Sequence, residues 1–351
     1  MATKINTTLL TFTAEQVRAI GDMTFDAFVK APEVQATCVI HDNVVFNREV
    51  AFFGVGGIVG SAAQGCNPTY DSYVVGTRKI TWEPAEWQVP LALCYKDLDN
   101  TLGVYSRKTG IAIADMVDTD YMNVIVMALT ESLKEFFIRV IWFGDKLIEN
   151  ITDAGVLVNT CDVKYFNLID GLFKQMDTQV TANAEQGVNV AENEGVSKVA
   201  QAMVVANVQG YLSKLIFNAP LELRGMANNF ILCTQTIYDA YYQSLLSDKI
   251  TPMYQNILDG VEALTYLGVP IIPMPLWDRL IKTYFDQGAT YLNPNRALYT
   301  NKEVLGVAVD SLSSLGEIDV NYDKKSKLVL IDAGGMLDAK LQNPSLFTYA
   351  V

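Results

Sequence analysis

The sequence predicts a mixed α+β fold, on three observations. From Tyr121 to Phe143 apolar residues recur at spacings of three and four, beyond about residue 195 strand-like and helical runs alternate, and near the C-terminus an alternating run is answered by a second, more apolar one. The chain has 351 residues, 50% of them hydrophobic, which is enough for a large buried core and more than one domain.

Residues 13–30, TAEQVRAIGDMTFDAFVK, open with a capping pair, Thr13 and Gln16, and set Val17, Ile20, Thr24 and Phe28 on one helical face. No second helix follows at once, so this stripe needs cover from elsewhere, and residues 1–45 read as an arm. A glycine-rich stretch then leads into RKITWEPAEWQVPLALCYKDL, where two β-rich runs flank Glu83-Pro84-Ala85 and predict a hairpin with a proline at its tip. Trp82, Trp87, Leu91 and Leu93 make that ribbon too apolar to stand alone.

In the helix of 121–143, Met122, Val126, Leu129, Leu133, Phe136, Val140 and Phe143 form the apolar face, with Glu131, Lys134, Glu135 and Arg139 mostly opposite. Asp118 and Asp120 suit its positive N-terminal end and Gly144 its C-cap. At 1.5 Å per residue it is roughly 35 Å long. The polar segment 178–195 places a domain boundary near residue 190.

A second helical stretch, VSKVAQAMVVANVQGYLSKLIF, follows, then a strand at 229–234 and a helix with Tyr238, Tyr241, Tyr242 and Leu245 on one face. ALTYLGVPIIPM reads as one strand, and PLWDRLIKTYFDQG as a helix from Pro275 to Gly288. Helices over a central sheet result. In NPNRALYTNKEVLGVAVDS (293–311) a proline-led turn and two apolar runs surround the polar cluster Thr300-Asn301-Lys302-Glu303, and the stretch carries no chemistry. Finally GEIDVNYD (316–323) alternates and KLVLIDA returns, an antiparallel pair.

Composition narrows the function. With 39 acidic against 26 basic residues the formal charge is −13, which disfavours a surface that grips phosphates. Charged residues are only 19% and the mean hydropathy is +0.18, so a large interface is expected to cover part of the surface. Five cysteines without a CxxC indicate neither a zinc site nor a disulfide framework. MATKINTTLL lacks the apolar core of a signal peptide, and charges at Glu131, Lys134, Glu135 and Arg139 interrupt the most apolar segment before ~20 apolar residues accumulate, so neither export nor a membrane span is expected.

The single histidine, His41, lies in the arm beside Asp42, away from any nucleophile motif, and reads as a surface or interface residue. GVGGIVG (54–60) resembles a dinucleotide loop, but glycine and proline stand where its helix would begin. The pairs Glu83/Glu86 and Glu192/Glu194 read as solvated carboxylates. No catalytic, cofactor-binding or metal-ligating residue is predicted.

The order of arm, apolar ribbon, rod helix, α/β region and returning strands resembles the major capsid protein of tailed bacteriophages, the Hong Kong 97-like fold. The likeness spans nearly the whole chain. KITWEPAEWQVPLALCYKDL, ADMVDTDYMNVIVMALTESLKEFFIRVIWFGD, FNLIDGLFKQM and NPNRALYTNKEVLGV carry it, and together they are most similar to capsid proteins of crAss-like and related Bacteroidales phages.

The resemblance implies an N-terminal arm (1–45), a glycine-rich segment with the extended loop (46–97), a peripheral domain (98–194) with spine helix 121–143, an axial α/β domain (195–315) and returning peripheral strands (316–351). It implies subunit contacts through Trp82, Glu83, Pro84 and Trp87 of the extended loop, and a spine-helix core of Leu129, Leu133, Phe136 and Val140. The function implied is self-assembly as hexamers and pentamers into an icosahedral head around double-stranded DNA, without enzymatic activity, cofactor or membrane.

Partners would be portal, scaffolding and possibly decoration proteins, and the site the virion, assembled in the host bacterial cytoplasm. Scaffolding would be a separate protein or a segment already removed, and Lys79 is a conceivable donor for a lysine–asparagine cross-link. The alternatives are an encapsulin-type compartment shell and a soluble nucleotide-dependent α/β enzyme using GVGGIVG.

Overall fold

A computed structural model describes residues 37–44, 48–53, 77–94, 120–249, 252, 254–258, 261–310, 319–323 and 328–351. The helix expected at 13–30 and the GVGGIVG segment lie outside them. The strands are β1 (Val39–His41), β2 (Arg48–Phe53), β3 (Thr77–Trp82), β4 (Ala85–Cys94), β5 (Gly187–Val188), β6 (Asn229–Cys233), β7 (Tyr254–Leu258), β8 (Val261–Tyr266), β9 (Val269–Pro273), β10 (Ala297–Asn301), β11 (Leu305–Val309), β12 (Asp319–Asp323), β13 (Leu328–Leu341) and β14 (Thr348–Ala350). The helices are α1 (Asp120–Phe143), α2 (Leu172–Ala182), α3 (Val205–Phe217), α4 (Leu221–Gly225), α5 (Gln235–Ser247) and α6 (Pro275–Tyr284).

One sheet runs β5-β14-β10-β6-β9-β8-β7. Its strands β6, β10 and β14 are buried at every position, because helices cover both faces, and the buried set includes the polar Asn229, Thr300, Asn301 and Thr348. Successive residues of β6 enter different cores: Ile231 and Cys233 pack with Val208, Leu212, Ile237 and Tyr241 of α3 and α5, whereas Phe230 and Leu232 join Trp142, Phe173 and Trp277 of α1, α2 and α6.

The other sheet is built on β13. It pairs antiparallel with β4 over Leu328–Leu337, with β12 over Leu328–Asp332 and with β11 over Leu337–Leu341, and β1 adds to β11 in parallel. The stretch 293–311 passes from one sheet to the other: β10 lies centrally in the first, a 3-10 turn Lys302–Val304 follows, and β11 enters the second. The closing antiparallel pair is present, with β13 much longer than KLVLIDA.

Several expectations change. The runs either side of Glu83-Pro84 do not form a hairpin with each other. β3 pairs back to β2, Trp82 opposite Arg48 and Thr77 opposite Phe53, while β4 departs to β13. Pro84 therefore marks the point where the chain changes sheets rather than the tip of a ribbon. The second helical stretch begins only at Val205, after turns through 196–203. ALTYLGVPIIPM is two strands, β8 and β9, broken by Leu267 and Gly268, both at positive φ (49° and 80°).

On α5 the buried face is Ile237, Ala240, Tyr241, Ser244 and Leu245, and Tyr242 is turned outward. The helix α6 ends at Tyr284, short of Gly288. Gly144 caps α1 without a left-handed φ: a Cβ there would lie 2.5 Å from the Ile169 carbonyl and 2.6 Å from that of Val140, so the requirement is close backbone approach.

Candidate assembly surface

The root of the β2–β3 ribbon is built on small residues. Gly306 and Ala308 stand on one face of β11, and the indole of Trp82 lies against them: Trp82 clusters with Val44 and Ala308, and a Cβ at Gly306 would meet its Cη2 at 2.8 Å. His41, paired with Ala308 across β1, places its ring 5.2 Å from that of Trp82 and contacts the Gln342 amide. Trp82 is thereby 1% exposed. One residue on, the Glu83 N–H donates to the Asp338 carboxylate at 2.7 Å, and the Glu83 side chain faces Lys146 at 3.9 Å.

The predicted contact residues thus divide. Trp82 and Trp87 are covered by this chain itself, Trp87 against Phe136 and Phe137 of α1. The expectation that neighbouring subunits must cover these tryptophans is corrected: Trp82 packs on Val44 and Ala308, and Trp87, on the strand β4 that pairs with β13, faces the core. Glu83 is exposed and Pro84 half-buried.

Of the predicted spine core, Leu133 and Val140 are fully buried and Phe136 is half-buried; the side chain of Leu129 lies outside the described residues. Near the end of α1, Arg139 stands over Phe136, Tyr165 and Phe166 and pairs with Glu135, which also meets Arg279 and Tyr284 of α6.

Beyond Ala85, the first residue of β4, a side chain continues the ladder along β13. The Gln175 amide of α2 donates to the Ala339 carbonyl at 2.6 Å and accepts from the Leu341 N–H at 3.0 Å. A second polar network explains Asn293-Pro294-Asn295-Arg296. Asn295 donates to the Gln201 carbonyl and accepts from Thr236, while Asn193 bonds both its N–H and its carbonyl. Gln201 reciprocates by holding the Asn193 carbonyl and both backbone polar groups of Tyr291. The loop 191–202 is fastened to the start of β10, and it holds Val196 and Val199 outward at 87% and 86% exposure.

Burial pushes the Asp338 carboxyl up to about 6, with the Glu83 N–H, Lys340 and Lys146 opposing. Asp177 and Asp278 are likewise raised by burial. Glu192 is lowered, since hydrogen bonds from Asn207 and Tyr211 outweigh its burial. Its neighbour Glu194 instead accepts from Asn189, so the two carboxylates do not act together. Burial raises the thiols of Cys38, to about 11, and of Cys161 and Cys233, which leaves them poor nucleophiles. Among the described residues no group of three His, Cys, Asp or Glu side chains could hold a metal ion, and no helix is long and apolar enough to cross a membrane.

Asp338, Gln342 and Gln175 escaped the sequence reading. The alternation Gly306-x-Ala308 in an otherwise bulky strand is the signal that a large side chain is seated there, and an acid inside the apolar run of β13 is the signal for Asp338.

No protein-family model and no curated protein matches the chain. Solved structures match along nearly all of it. A chain of Gordonia phage Cozz aligns at 9% identity and a TM-score of 0.52, covering 100% of this chain and 90% of that one. The capsid of the empty GTA particle aligns at 11% identity and a TM-score of 0.49, covering 92% and 89%. The holo-SrpI encapsulin complex from Synechococcus elongatus PCC 7942 aligns at 13% identity and 0.44, covering 100% and 95%. The chain shares the overall fold of the Gordonia phage Cozz chain.

Proposed function

We propose that the chain is the major capsid protein of a tailed bacteriophage, assembling as hexamers and pentamers into an icosahedral shell around double-stranded DNA. The observation that carries this is the fold shared with a phage chain over 100% of the sequence, in company with the local resemblance of four separate segments. The crAss-like and Bacteroidales affinity rests on that resemblance alone.

In this reading residues 1–45 are the arm and α1 the spine of a peripheral domain that includes β4, β11 and β13. The region 195–315, centred on the seven-stranded sheet, is the axial domain apart from β11, which lies in the sheet of β13. The extended loop is the β2–β3 ribbon, so its subunit contacts move from Trp82 and Trp87 to the ribbon itself and the joint Glu83-Pro84. Shell stability is collective, each weak contact repeated by symmetry. A formal charge of −13 suits a container that encloses DNA without gripping it. Portal, scaffolding and decoration proteins complete the partners, and the virion, built in the bacterial cytoplasm, is the location.

A compartment shell of encapsulin type is the second reading, favoured by the match to the SrpI encapsulin complex only in outline. Sedimentation of nuclease-treated lysate containing the expressed protein, with analysis of the pelleted contents, tests both. Heavy particles that package DNA when the other phage proteins are present support the capsid. Particles holding a protein cargo instead indicate a compartment, and a small oligomer under every condition contradicts both.

A further inference from the structure

We propose that the root of the β2–β3 ribbon is a proton-linked latch, closed over a neutral Asp338 in mild acid and loosened when that carboxyl ionises towards neutral pH. The geometry is a hinge with one buried titratable group beneath it. The ribbon joins the body through Trp82, seated on Gly306 and Ala308, and through the Glu83 N–H bonded to Asp338 at 2.7 Å. Asp338 is 3% exposed, and its hydrogen bonds among the described residues come from two peptide N–H groups, those of Glu83 and Ala339. The charges facing it are Lys146 from the loop after α1, already turned to the Glu83 carboxylate, and Lys340 on its own strand. His41 stands in the same row of the sheet, beyond Ala308.

The direction follows from solvation. Closing the ribbon excludes water from the carboxyl, which penalises the anion, and burial is the largest influence on its titration. The neutral acid still accepts from the Glu83 N–H at one oxygen and from the Ala339 N–H at the other, the hydroxyl oxygen being the weaker acceptor. Opening admits water and favours the anion. The closed form therefore binds the proton more tightly, and by reciprocity the proton favours the closed form. This holds for the subunit whether or not it builds a shell.

Hydrogen exchange of peptides spanning 77–84, corrected for intrinsic rates and measured at about pH 5 and about pH 7.5, reads the opening directly. The wild-type protein is expected to open at least ~10-fold more often at the higher pH, one pKa unit corresponding to a factor of ten. Asp338→Asn, which imitates the neutral acid, is expected to open equally rarely at both. Equal opening of wild type at both pH values, or a pH dependence that persists in Asp338→Asn, overturns the proposal. Glu83→Pro deletes the N–H and leaves the carboxyl in place. It is expected to raise opening at both pH values while β6 stays protected, and unchanged opening in that variant also overturns the latch. Because the measurement works on the free subunit, its failure is distinct from a failure to assemble.

Discussion

Leu133 and Phe136 lie about one turn apart on α1, yet a carboxylate would cost different amounts at each. Leu133 is sealed in the core, so Leu133→Asp buries an unpaired charge and is expected to lose several kcal/mol, enough to unfold the subunit. Phe136 is half-buried, with the Arg139 guanidinium 5.7 Å from its ring centroid, so Phe136→Asp gains a counter-charge and should cost clearly less. Urea denaturation of both variants checks this, and equal losses would contradict it. Asn295→Ala takes the donor from the buried Gln201 carbonyl and an acceptor from the Thr236 hydroxyl, an unpaired buried group costing about 1–3 kcal/mol, while the backbone bonds to Asn193 remain. The loop 191–202 should then be cut early in limited proteolysis, with resistance equal to wild type as the contrary result. The periodicity of α1 made Leu133 readable in the sequence. The network around Asn295 was not, because it joins residues about a hundred positions apart through side-chain amides that leave no local pattern.

At the scale of elements, rod helix, β6, α5, α6 and the closing strands were legible, since each has its own period or its own cap. Misreadings fell where partner choice decides. The runs around Glu83-Pro84 are both good strands, and a local reading pairs them; the structure sends them to β2 and β13, which no short-range signal specifies. Leu267 was hidden in the same way, because leucine at positive φ is rare and gives no turn signal. Two predictions belong here. Gly306→Val should lift Trp82 from its floor and free the ribbon while leaving both sheets folded, visible as exchange confined to 77–82; global unfolding or an unchanged ribbon would contradict that. Removing residues 1–30 should leave a folded subunit that assembles poorly, and normal particles from it would refute the role of the arm.

For the whole molecule, acidity acts in two directions. Asp338, Asp177 and Asp278 have folded-state values raised by burial, so their penalty is present at neutral pH and is relieved as pH falls, for Asp338 through about 6. Glu192 is lowered, so its contribution is present above the ordinary glutamate value and is lost only on stronger acidification. The melting temperature should therefore rise from pH ~7.5 to pH ~5.5 and fall again in stronger acid. Asp338→Asn should flatten the upper part of that curve, and a steady fall across the upper range in scanning calorimetry would contradict the assignment. The mixed α+β fold was readable in the sequence, while the placement of the ribbon and the self-covered tryptophans needed the structure.

The central claim, a shell-forming subunit, is tested most directly by negative-stain electron microscopy of the purified full chain, alone and with the other phage proteins. Closed icosahedral particles, or rings of six and five subunits, are the predicted result. A uniform small oligomer under both conditions would contradict the account.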